Sequence, residues 1–237
     1  MRILFLTILF ATLLCVHPCW AASAWANLSF VQNPPAIEQL VDSGNAFWNN
    51  AVQVFGMCEF NHGLAPARNA ETRIFATREA LYLQVCAEQA AGVVPLSQEM
   101  KRDGKVYFDD CIEVALALPD APSGEYFQFS LNAANTVYDA YRTDPNWNGS
   151  WESRTFVEDG RWGAVFRIPF AVLGLTEAPE VLHCNVARTR LAPVAEQSVL
   201  VRSSPALFFG DLANALELRL GEGKPSGRFE MKETEEG

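Results

Sequence analysis

The sequence predicts an all-β protein, a single antiparallel β-sandwich of jelly-roll-like form, and three observations carry that reading. Apolar and polar residues alternate with period two along most of the chain. Turn residues recur roughly every ten positions, and only 35–40 and 169–173 are patterned for helix, each little more than a turn long. Taken in order, 72–76 is a strand, followed by 81–85 (LYLQV) and 112–116 (IEVAL), where every second side chain is apolar. The stretch 126–131 (YFQFSL) sets Phe127, Phe129 and Leu131 on one face, and Gln128, Ser130 and Asn132 on the other. Residues 151–156 and 161–168 are two strands joined by Glu158, Asp159 and Gly160, an Asp-Gly hairpin turn. In the second of them Trp162, Ala164, Phe166 and Ile168 share the core face. Strands over 182–189 and 216–220 complete the set, and Trp48, in NAFWNN ahead of the first strand, reads as core.

The start of the chain sets the compartment. Met1 and Arg2 precede ILFLTILFATLLCV, an apolar run short of the ~20 residues a membrane span needs. Small residues then supply A-x-A cleavage sites ending at Ala24 and Ala26. Residues 1–24 therefore read as a signal peptide, 25–220 as the sandwich domain, and the polar tail 221–237 as disordered. The expected location is secreted or periplasmic. The chain carries a net charge of −10, from 18 basic and 28 acidic residues, and loss of Arg2 with the leader makes it more negative still. Such a field, without a basic patch, argues against nucleic acid as a partner. Cys58, Cys86, Cys111 and Cys184 remain after the leader, and in an exported chain they are expected to form structural disulfides, with three pairings open. The long polar loop 89–104 is a candidate functional loop.

Several segments occur in one order: TRI (72–74), ALYL (80–83), DCIEV (110–114), YFQFSLN (126–132), GRW (160–162) running to RIPF (167–170), LG (173–174), NVAR (185–188) and FGDL (209–212). Together they resemble the carbohydrate-binding modules of family nine and their wider relatives, over about 36–220. The resemblance implies one antiparallel β-sandwich without catalytic machinery, which grips sugar units or glycan ends and in some members carries calcium. It carries over Tyr107 as the first stacking aromatic, with Phe108 in its place if the loop shifts by one. It makes Glu113 the acid of the D-x-x-E strand, and Gln128 and Asn132 the hydroxyl grips. The chain departs from that pattern at Ser130, where some members have a basic residue. It departs again before Phe209, where QSVLVRSSPALF holds no tryptophan. The second aromatic wall then falls to Phe208, Trp147 or Trp151, and Trp147 joins the candidate sugar contacts.

The residues themselves point the same way. A row of amide and carboxylate groups on one sheet face suits hydroxyl-rich ligands, because each hydroxyl both gives and takes a hydrogen bond. Asp109 and Asp110 read as turn-stabilising aspartates or, with Glu113, as oxygen ligands for calcium. Asp110 and Glu113 lie three positions apart on an extended run, about 10 Å, and face opposite ways, so they cannot act as a glycosidase pair. Two other readings stand beside the sugar-binding one. In the first, a cell-envelope interaction module has kept the sandwich and lost the sugar site. In the second, the chain is a b-type haem-binding relative using Met57, Met100, His62 or His183.

Overall fold

The computed structural model describes residues 25–54, 57–60, 66–200, 212, 215–222 and 226–228. They form β1 (Trp25–Ser29), β2 (Val52–Val54), β3 (Cys58–Glu59), β4 (Ala70–Ala76), β5 (Ala80–Glu88), β6 (Cys111–Ala117), β7 (Phe127–Asn132), β8 (Val137–Tyr141), β9 (Glu152–Glu158), β10 (Arg161–Pro169), β11 (Val181–Arg190), β12 (Glu196–Val199), β13 (Leu216–Gly221) and β14 (Ser226–Arg228). One sheet runs β14-β1-β13-β11-β6-β7-β8, with β12 and β3 added beside β11; the other runs β2-β4-β5-β10-β9. The predicted β-sandwich is what forms. All neighbours are antiparallel except β1 and β13, which pair in parallel from Trp25 opposite Glu217 to Ser29 opposite Gly221.

The core lies between the sheets and follows the alternation. Leu81, Leu83 and Val85 of β5 and Trp162, Ala164, Phe166 and Ile168 of β10 meet Ile112, Val114 and Leu116 of β6 and Phe129 and Leu131 of β7. The hairpin joining β9 and β10 turns at Gly160, whose φ of 76° suits glycine. Gly163 is required for a different reason: a Cβ there would stand 2.4 Å from the Val85 carbonyl oxygen and 2.5 Å from the Phe156 ring. Outside the β5–β10 sheet, the short helix α1 (Ile37–Leu40) and the 3-10 turn Ala46–Asn50 cover a second apolar cluster of Ile37, Leu40, Trp48, Phe75, Tyr82 and Val165. The Trp48 indole N–H donates to the Leu40 carbonyl at 2.9 Å.

Three expectations change here. The first strand is β1, well ahead of Trp48, and its Ala26 and Leu28 are buried. Within the tail expected to be disordered, Ser226–Arg228 pairs with β1. Among the described residues the expected disulfides do not form: Cys58, Cys86, Cys111 and Cys184 make no bond to one another. Their positions explain it. Cys184 points into the core, and Cys86 lies on the outer face of the other sheet, where burial lifts its pKa to about 11. Cys58 and Cys111 share a face, but β12 and β11 stand between their strands. Three strand spacings of ~4.8 Å separate them by about 14 Å, roughly twice the Cα reach of a disulfide.

Candidate functional site

The outer face of the larger sheet carries a groove of about 520 Å³. Its floor is set by register. Ala187 of β11, Glu113 of β6, Ser130 of β7 and Tyr138 of β8 lie side by side across four strands. Ala115 stands opposite Gln128 in the next row. The small Ala187 leaves room in the hollow, Ala115 is covered by Tyr126 and Leu212, and the longer Glu113 and Gln128 side chains line its base. Glu113 is only 8% exposed. Gln128 Nε2 donates to Glu113 Oε2 at 2.7 Å, and the Ser130 hydroxyl donates to the same oxygen at 3.2 Å. Burial pushes the Glu113 carboxyl above the ordinary carboxylate range, and these two hydrogen bonds only partly oppose the shift.

The aromatic wall comes from the 3-10 turn Val106–Phe108, anchored by the fully buried Val106. Tyr107 and Phe108 line the groove and are 44% and 63% exposed, so their rings are open to a ligand. Tyr107 meets Tyr138 edge-on, with ring centroids 6.2 Å apart. Facing them, Arg190 and Glu196 form an ion pair at 3.3 Å.

Asp109 and Asp110 hold this wall in place. Asp109 accepts from the backbone N–H of Gln98 at 3.0 Å and of Glu99 at 2.9 Å, and from the Asn132 amide at 2.8 Å. Asp110 accepts from the Leu96 N–H at 2.8 Å and from Gln89 Nε2 at 3.3 Å. Together they strap the loop 89–104 onto the start of β6, as turn-stabilising aspartates do. Their oxygens are committed to that loop, to the Asn132 amide and to the Leu191 N–H, and among the described residues no three acidic, histidine or cysteine side chains gather to hold a metal ion.

Of the expected sugar contacts, Tyr107, Glu113 and Gln128 come together in the groove. Asn132 does not join them. It is fully buried beneath the loop, its amide donating to the Glu99 carbonyl and Asp109 while its oxygen accepts from the N–H groups of Ala134 and Thr136. Trp147 does not either: it packs on Phe127 and Phe129, at centroid distances of 5.4 and 6.0 Å, and so lies on the core side of β7. Trp151 is likewise turned inward, stacked on Phe166 with its N–H on Asp139. Phe208 lies outside the described residues, as does His62. Of the other expected haem ligands, Met57 is buried with its sulfur accepting from the Ser198 hydroxyl, Met100 is exposed on the loop, and His183 stands opposite Ala117 on β11.

Tyr126 was missed as a groove residue. It is buried at the floor, where desolvation first and the Glu113 charge second raise its phenol pKa. Its signal was available, since it has the same parity as Gln128. Glu196 had no such signal, because β12 is a strand the alternation did not reveal, and Arg190 lies one residue past the expected end of its strand.

No family model matches the sequence, and neither does any curated protein. Solved structures do match in fold. A putative carbohydrate-binding protein from Bacteroides uniformis superposes with a TM-score of 0.64 at 14% identity, over 84% of this chain and 100% of that one. A family 9 carbohydrate-binding module from Caldicellulosiruptor kristjanssonii, in complex with cellotriose, gives 0.62 at 14% identity, covering 84% and 95%. A module of that family from the same organism, in complex with glucose, gives 0.58 at 14%, covering 84% and 97%. The fold expected from the sequence is therefore the fold found.

Proposed function

We propose that this is an exported, non-catalytic carbohydrate-binding protein that takes a sugar unit or glycan end into the groove on the larger sheet. One observation carries the reading. Two exposed aromatic rings stand beside a buried carboxylate and a half-buried amide in a concave site, the combination that presents an apolar face and directed hydrogen bonds to one ligand. Tyr107, with Phe108 beside it, stacks on the sugar face, and Glu113 with Gln128 takes the hydroxyls. Binding needs no bond-breaking step. The likeness in fold to proteins described as carbohydrate-binding supports this assignment. Removal of the leader after Ala24 leaves β1 whole, whereas a cut after Ala26 would remove two of its residues.

The test is calorimetric titration with mono- and oligosaccharides, with and without calcium. Tyr107→Ala is expected to weaken binding about tenfold, as loss of a contact worth more than about 1 kcal/mol does, and Glu113→Ala to abolish it. A second reading, an envelope interaction module, draws on open apolar side chains: Phe108 at the groove and Val94, 77% exposed, on the loop 89–104. Silence across all sugars would favour that module over the lectin.

A further inference from the structure

The described lining of the groove carries more acid than base: Glu113 and Glu196 share it with Arg190, which lies 3.3 Å from Glu196. Glu113 is the member that matters, because it is more than nine-tenths buried. Both of its donors, Gln128 and Ser130, converge on Oε2. Among the described residues nothing donates to Oε1, and no cation pairs with the carboxylate. The neighbour in register on β7 is the neutral Ser130, and on β11 it is Ala187. A buried carboxylate is costly unless something compensates its charge. Here the described residues supply two neutral hydrogen bonds, both to Oε2, at a carboxylate that lines the groove.

From this geometry we infer that the groove selects amino sugars, with the ammonium group of a glucosamine-type unit seated on Glu113 Oε1 as the missing counter-charge. The inference rests on the carbohydrate-binding reading above and narrows it to the cationic members of that class. An ammonium gives Glu113 a charge-assisted hydrogen bond, roughly twice as strong as the one a hydroxyl gives. The exposed ring of Tyr107 adds to the attraction, since an aromatic ring draws a nearby cation by its quadrupole, whereas Phe108 already has the Lys105 ammonium 5.8 Å from its centroid. Burial of the carboxyl, which holds its pKa up in the free protein, is the cost that the ligand's charge offsets. N-acetylation removes the charge and adds bulk at the same atom, so the acetylated sugar loses the advantage.

The experiment compares D-glucosamine, D-glucose and N-acetyl-D-glucosamine, and their β-1,4-linked tetramers, by calorimetry on the whole protein. It is run at about pH 6.5, where an aliphatic amine keeps its proton. Glucosamine is expected to bind at least about tenfold more tightly than the two neutral sugars, the factor a charge-assisted bond gains over a neutral one. Glu113→Gln should erase that preference, and Glu113→Asn, which also keeps an amide in place of the charge, serves as the second variant if the first is poorly folded. Equal or tighter binding of glucose would overturn the amino-sugar assignment while leaving the carbohydrate-binding reading intact. A preference that survives in both Glu113 variants would overturn it too, by placing the selecting charge elsewhere. No binding of any of the six compounds would remove the parent reading along with it.

Discussion

The two outer faces of the sandwich make opposite use of the same alternation. On the β5–β10 sheet the outward positions include Phe75, Tyr82 and Val165, and α1 with Trp48 closes over them. On the β6–β7 sheet the outward positions are Glu113, Gln128 and Ser130, and what reaches over them is a strapped loop that presents Tyr107 and Phe108 without sealing the groove. One face adds apolar burial to the stability of the fold. The other holds a carboxylate that burial disfavours. A sheet face therefore becomes a binding surface through what its cover leaves open, and the pleat alone does not decide it.

That contrast can be broken by mutation, and the largest effect is expected on the sealed face. Trp48→Ala should cost about 3–5 kcal/mol, as truncation of a buried aromatic does, read as a shift in the urea midpoint with sugar affinity per folded molecule unchanged. A loss below about 1 kcal/mol would mean that the covering segment is not part of the core. Next comes the strap. Asp109→Ala leaves the N–H groups of Gln98 and Glu99 and the Asn132 amide without their acceptor. About 1–3 kcal/mol should be lost, with faster amide exchange over 96–104 and weaker sugar binding together. Binding that survives a loosened loop would detach Tyr107 from the site.

The smallest effect, and the most telling in sign, is on the groove floor. Burial raises the Glu113 carboxyl above its unfolded value, so the folded chain holds that proton more tightly than the unfolded chain does. Stability then falls as pH rises from the unfolded value, about 4.3, through the raised folded one, and levels off beyond it. Glu113→Gln removes that decline. In a thermal melting series the variant should exceed the wild type at neutral pH and lose its advantage on acidification. A neutral-pH melting temperature at or below wild type would show the carboxylate to be compensated without ligand.

Much of this was legible in the sequence because period two fixes which residues share a face. Glu113 and Gln128 were placed together that way, and so was the core face of β10 with Trp162. The failures share a cause: they depend on chain that arrives from far away. Asn132 has the parity of Gln128, but the loop 89–104 crosses over the end of β7 and takes its amide. Trp147 sits in a polar loop whose sequence gives no hint that it folds back onto Phe127 and Phe129. The cysteines could have been judged better from local pattern alone. Cys184 alternates in phase with Leu182 and Val186, and Cys111 out of phase with Ile112 and Val114, which puts them on opposite sides of one sheet. β14 was missed because a polar, glycine-bearing segment shows no alternation, and its order comes from pairing with the edge of β1.

The parallel pairing of β1 with β13, with β14 laid antiparallel on the far side of β1, has a mechanical consequence. Trp25 and Arg228 stand directly opposite one another, so polypeptide joined at either place departs from the same corner. Tension between the two would first peel β14 away one bond at a time. It would then load β1 against β13 lengthwise, where the parallel ladder must give way all together. The seam through which this domain can be tethered is thus a weak zipper backed by a shear lock, and it lies at the margin of the sheet whose middle strands hold the groove.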